Sequence, residues 1–207
     1  MAAKASKPAG PPNGYASNGH VPTGHAFVVQ KHAAGHLHYD FSLEMGGVLK
    51  SWEVAQGPSV DPAVKRLAVE VEDHPLSYGR FEGIIGKGQY CGGLVMIWDR
   101  GTWHAVGDAQ KHFKAGRLKF RLNGNKMKGQ WVLLRMKPRP KERHTCWLLI
   151  KDKDTEAAPG DPNRLLKQDR SVMTGREMDA IAAAVKTSSP PHSQKRGPQG
   201  SPRYKRI

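Results

Sequence analysis

Three imidazoles and a carboxylate fall within one short run, His32-Ala-Ala-Gly-His36-Leu-His38-Tyr-Asp40. If the chain is extended from Leu37 onward, His38 and Asp40 point to one side, because strand side chains alternate. His32 reaches the same place across the small-residue turn. Two imidazoles and one carboxylate with coordination positions left open suit a divalent transition metal such as Mn²⁺, Zn²⁺ or Fe²⁺. The plainer alternative is a set of solvated histidines on a polar strand face. A second group joins Arg66 to Asp73-His74-Pro75-Leu76-Ser77-Tyr78. Arginine, histidine and tyrosine together can bind a phosphate and protonate a leaving oxygen; a structural His-Pro turn, with Tyr78 plugging a barrel end, is the alternative.

Charge points to the partner class. The 207 residues carry 33 Lys and Arg against 18 Asp and Glu, a formal net charge of +15 with pI near 10.0. Such an excess favours a polyanion, because neutralising phosphates releases counterions. A membrane surface is the rival, but there is no amphipathic basic helix, lipidation motif or apolar run of spanning length. Between Ala109 and Lys151 stand thirteen basic residues and a single acid, Glu142. Arg135, Lys137, Arg139, Lys141 and Arg143 fall at every second position, and Lys119 and Arg121 alternate with Leu118, Phe120 and Leu122. Extended, these seven form candidate nucleic-acid-binding edges. No aromatic ladder interleaves them, so backbone contact rather than base stacking is expected.

Stepping along the chain, residues 1–24 are rich in Ala, Gly, Pro, Ser and Asn and are expected to be a disordered arm. From 25 to 155, short apolar runs with β-branched and aromatic residues alternate with Gly, Pro, Asn and Asp. They predict many strands, with one brief helix near Asp108 to Ala115. The fold class is therefore all-β: a small closed or nearly closed β-barrel with short helices. Residues 156–207 read as a linker, a helix capped by Thr174 with Glu177 three residues on, and a disordered basic tail from Lys186. Cys91 and Cys146 read as reduced thiols, with one bridge between them as the alternative, and the N-terminus lacks the apolar core of a secretory signal. A cytoplasmic, nucleoid-associated protein is expected.

Longer motifs add a resemblance. The segments FVVQKHAAGHLHYDFSLE, GVLKSW, KRLAVEVEDHPLSY, IWDRGTW and WLLIKDKD, spread from about Ala26 to Asp154, are similar to the 3′-phosphoesterase domain family of bacterial DNA ligase D. That resemblance implies a small β-barrel with the active site in its crater. It implies that His32, His38 and Asp40 bind Mn²⁺ and that Arg66, His74 and Tyr78 contact the phosphate being removed. The family reaction trims a 3′-phosphate or 3′-terminal ribonucleoside from DNA or RNA–DNA ends to leave a 3′-OH, so a DNA ligase or end-binding repair protein is a candidate partner. The chain departs from the pattern where Ser42 replaces an arginine and Gln56 replaces a lysine, where Gly86-Lys87-Gly88 replaces Pro-Glu-Gly, and in having no acid before Asp40. Two readings follow: an active phosphoesterase, or a non-catalytic end-binding module that keeps the fold, the metal and the basic face.

Overall fold

The computed structural model describes residues 24–86, 92–140 and 143–188. The expected N-terminal arm up to residue 23, the tail beyond residue 188, Cys91 and Lys141 lie outside the described residues.

Nine strands follow in chain order: β1 (His25–Ala33), β2 (Leu37–Met45), β3 (Val48–Val54), β4 (Lys65–Glu70), β5 (Gly83–Ile85), β6 (Gly93–Ala105), β7 (Arg117–Gly124), β8 (Lys128–Arg135) and β9 (Cys146–Lys151). Every pairing is antiparallel. Around the wall the order is β1-β2-β3-β4-β9-β8-β7-β6, and β6 pairs back onto β1 to close an eight-stranded barrel, with β5 added beside β6. Closure removes the open strand edges that would otherwise template association. The β2–β3 hairpin turns on Gly46 and Gly47, at φ +62° and +83°. Both values lie in the left-handed region that a two-residue turn matching the strand twist requires. The short helix α1 (Ala109–Lys114) forms where the sequence predicts it, and the Asp108 carboxylate accepts from the Lys111 N–H at its start.

Alternation sorts the side chains. Phe27 and Val29 on β1, with Tyr39, Phe41 and Leu43 on β2, point inward to the main core. All five tryptophans are buried. The intervening residues Val28, Gln30 and His32, and His38, Asp40 and Ser42, occupy the outer face of the same two strands. They are nonetheless largely buried, because a second layer covers them. After β4 the chain bridges to β3, with His74 and Leu49 exchanging backbone hydrogen bonds of 2.8 and 3.0 Å. It then folds over β1 in a 3₁₀ turn, Leu76–Arg80. The Gln30 side-chain amide holds that turn by donating to the carbonyls of Tyr78 and Phe81. A small apolar cluster of Val28, Leu49 and Ile97, with Tyr78 against it, fills the gap.

The stretch after Asp154, expected to be a linker, is packed against the barrel. Leu165 and Ile181 belong to the core, Lys31 pairs with Asp169 at 2.6 Å, and Lys126 donates to the carbonyls of Gln168 and Arg170. Glu82 accepts from the Ile97 N–H and from the hydroxyls of Ser171 and Thr174. Its proline- and glycine-rich composition encodes turns, and the barrel supplies partners for the polar groups. The same contacts displace the expected capping box. Thr174 is engaged by Glu82 and Glu177 by Arg170, so the second helix, α2 (Met178–Ser188), begins only at Met178.

Candidate metal centre

On β1 His32 stands directly opposite His38, one residue before the strand ends, and Gln30 stands opposite Asp40. This register brings the first triad together on the outer face. The His32 Nδ1 lies 3.3 Å from Asp40 Oδ2, and the His38 Nε2 lies 3.5 Å from the same oxygen. One donor atom from each of the three residues fits within 4.8 Å of the other two. His32 and His38 are 2% and 6% exposed. The remaining ring nitrogen of His32, Nε2, is buried without a hydrogen-bond partner. It sits where a Cβ on Gly93 would come within 2.8 Å, so that glycine is what allows the ring its place. His38 Nδ1 is 3.2 Å from the His36 carbonyl. Donation to that carbonyl would orient the ring and leave Nε2 with its lone pair facing Asp40, the usual arrangement behind a metal-binding histidine. A two-nitrogen, one-carboxylate set with open positions fits a divalent transition metal.

The electrostatics agree with a coupled cluster. Burial pushes the Asp40 carboxyl up, but hydrogen bonds and charge from His32 and His38 outweigh it and hold the group below its ordinary value. Burial pulls the His38 imidazole down, and Asp40, Glu53 and the His36 carbonyl more than offset it, leaving its pKa raised. His74 is different. Burial holds it below its ordinary value against the opposing pull of Asp40, Glu72 and Asp73, so it is neutral at neutral pH.

His74 and Tyr78 join the triad in one cavity of about 270 Å³, which His36, Glu53 and Val71 also line. Their rings lie 4.7 Å apart. The site therefore lies on the outside of the barrel wall, roofed by the segment from Val71 to Tyr78, and the expected crater location is corrected. Phe41 and Trp52 fill the interior at that level.

Arg66 is not brought to this cavity. On β4 it pairs with Leu149 and alternates with Ala68, both relations of the inner face. Its guanidinium donates to Gln56 Oε1, the Pro162 carbonyl and Asn163 Oδ1 and lines a separate cavity of about 510 Å³ with Leu166 and Lys167. Ser42 shares the outer face with Asp40 but is closed off, its hydroxyl 2.8 Å from that of Ser51.

The basic residues divide. Counting around the wall, β8 stands opposite β2, so Arg135 lies across the barrel from His38, and β7, with Lys119 and Arg121, is separated from β1 by β6. Lys119 is paired with Asp152 at 2.7 Å. Arg135 donates to the Lys114 carbonyl and lies over the Trp147 ring. Lys137, Arg139 and Arg143 are exposed in the β8–β9 loop rather than along a strand. That loop reaches β4, where Thr145 accepts from the Glu70 N–H, one residue before Val71 of the cavity.

Sequence reasoning left Glu53 and Gln30 unassigned. Glu53 stands opposite Asp40 on β3; only the pairing of β2 with β3 puts it beside His36, and the Gly46-Gly47 hairpin was the one signal that could have fixed that register.

Comparison with known proteins agrees with this architecture. The profile of the family described as the DNA Ligase D 3′-phosphoesterase domain matches residues 30–135. The chain is 51% identical over 142 residues to a multifunctional non-homologous end joining protein LigD of Pseudomonas aeruginosa, covering 69% of this chain and 17% of that one. It is 42% identical over 115 residues to the Mycobacterium tuberculosis LigD, described as a multifunctional non-homologous end joining DNA repair protein, covering 54% and 15%. With the Mycolicibacterium smegmatis LigD it shares 35% over 158 residues, 70% of this chain and 19% of the relative. The chain thus spans less than a fifth of each relative. On the strength of the matched profile and of the barrel that carries its histidines, this chain belongs to the DNA ligase D 3′-phosphoesterase domain family.

Proposed function

We propose that this protein is a metal-dependent 3′-end-processing phosphoesterase that removes a 3′-phosphate or a 3′-terminal ribonucleoside from DNA ends, leaving a 3′-OH. The observation that carries the reading is the convergence of His32, His38, Asp40, His74 and Tyr78 on one outer-wall cavity. His32, His38 and Asp40 would hold the ion, Mn²⁺ by family resemblance; when bound it supplies Lewis-acid polarisation of a phosphoryl oxygen. His74, neutral at neutral pH, serves as a hydrogen-bond donor to a phosphate oxygen through one ring nitrogen. It takes up a proton only as the phosphate's negative charge raises its basicity. Tyr78, held over β1 by Gln30 through its carbonyl, offers a phenol to the same anion. The roof excludes water from one side of the group being transferred. Arg66 contributes through its own cavity and is a positioning candidate rather than a ligand to the same phosphate. A DNA ligase or end-joining protein is the proposed functional partner, and a nucleoid-associated location in the cytoplasm follows from that role.

The second reading, an end-binding module with weak or no hydrolysis, draws support from the separation of Arg66 from His74 and from the closed-off Ser42. Purified protein with Mn²⁺ on duplexes ending in a 3′-phosphate or a 3′-ribonucleotide decides between them. The first reading expects a 3′-OH product that Asp40→Asn abolishes; binding without product selects the second.

A further inference from the structure

The cavity holds two overlapping donor sets, and they share one residue. Beside His32–His38–Asp40 stands His36–His38–Glu53, whose donor atoms also lie within 4.8 Å of one another. The two sets differ in depth. His32 is buried and the Asp40 side chain is 20% exposed, whereas the side chains of His36 and Glu53 are 63% and 31% exposed. His36 Nε2 is 3.0 Å from Glu53 Oε1, and the His36 ring lies 4.9 Å from that of His38. The outer set therefore stands at the mouth and the inner set at the floor of one cavity.

A neutral imidazole has one lone pair. With His38 Nδ1 directed to the His36 carbonyl, only Nε2 is open to a metal, and it cannot serve two ions at once. We propose that His36 and Glu53 form an outer loading position for the same divalent cation, which passes to the inner set while keeping His38 as a common ligand. An ion reaching a buried three-ligand site from water must shed its waters stepwise. A partly exposed histidine and carboxylate at the mouth replace some of those waters before the inner donors are reached. The inference rests on the metal reading above and adds to it a route and a pair of residues with no part in the final coordination.

A path residue changes the rates of loading and release by one factor and leaves the equilibrium alone. Mn²⁺ binding is measured by equilibrium dialysis, and Mn²⁺ release by mixing the loaded protein with an excess of a fluorescent chelator. For the wild type, one ion per chain is expected. For His36→Gln, release about tenfold slower is expected with the dissociation constant unchanged, well apart from the 10–100-fold loss of affinity typical of disturbed ligand support. Glu53→Gln slows release likewise, although the loss of its charge also weakens binding. In Asp40→Asn, weakened binding persists at the outer set and disappears in the double variant Asp40→Asn with Glu53→Gln. Two ions per wild-type chain, unaltered release in both single variants, or affinity lost in step with release in His36→Gln would each overturn the loading position while leaving the inner site standing. Absence of Mn²⁺ binding by the wild type would instead remove the metal reading itself.

Discussion

His38 and Asp40 stand on the outer wall while their sequence neighbours Tyr39 and Phe41 hold the core. Replacing His38 by Ala or Asp40 by Asn is therefore expected to abolish Mn²⁺-dependent 3′-phosphate release with the barrel still folded. Circular dichroism and a melting curve on the inactive variants check this, and wild-type turnover in either would refute the ligand assignment. Gly93→Ala tests the opposite kind of position. A Cβ there would collide with the Ala33 carbonyl and approach His32 Nε2 at 2.8 Å, so either β6 or the His32 ring must move. A stability loss of about 1–3 kcal/mol is expected, the range for overpacking, together with weaker metal binding; chemical denaturation and dialysis read the two effects separately. At this scale the sequence was informative for the triad, because the i, i+2 spacing encodes a shared face whatever the strand pairs with. It was uninformative for Arg66, whose side of the wall depends on the inward or outward phase of β4, and that phase is set by Ala68 and Leu149 rather than by Arg66 itself.

Elements were legible where local rules suffice. The strands, the Asp108-capped helix and the glycine hairpin follow from alternation and turn chemistry, whereas the docking of residues 156–178 depends on single long-range polar contacts that composition does not encode. Glu82 is one. It satisfies the Ile97 N–H in the stretch where β6 has neither β5 nor β7 beside it, and grips Ser171 and Thr174. Glu82→Ala should loosen the C-terminal segment at a cost of about 1–3 kcal/mol for the stranded partners, seen as faster limited proteolysis between Asp169 and Met178. Lys126 is another. Burial lowers its pKa to about 8, against the pull of Asp99 and Asp169 and with the help of Lys31. An unfolded chain keeps that proton up to its ordinary value near 10.5, so between pH 8 and 10.5 the unfolded state binds more protons and this group's contribution to stability rises with pH. The stability difference between wild type and Lys126→Met, from urea titrations, should move in favour of the wild type across that window and stay flat below it.

Across the whole molecule, the positive charge of the described residues is not one face. Lys119 and Arg121 lie on β7, two strands round the wall from β1, and Lys137, Arg139 and Arg143 stand on a loop tied to the strand that leads into the roof of the site. If end binding uses that loop, replacing all three by Ala should flatten the slope of log affinity against log salt by about 2 to 3 units, at roughly 0.9 per phosphate contact. Lys119→Ala with Arg121→Ala should leave the slope nearly as it was. A chain ending at Ser188 belongs beside them, to separate the basic stretch that follows. Equal flattening by the two sets of variants would mean that nucleic acid wraps the barrel instead of meeting one side of it.

Strand β2 is in effect two messages written on alternate letters. Positions 39, 41 and 43 face the core, and positions 38 and 40 face the outer-wall cavity. Selection can therefore rewrite one set with little penalty in the other. A saturation scan of this strand at two temperatures should separate them: odd positions yielding heat-sensitive chains, His38 and Asp40 yielding chains equally inert when cool or warm. A family built this way can lose or retune its chemistry while its scaffold persists unchanged.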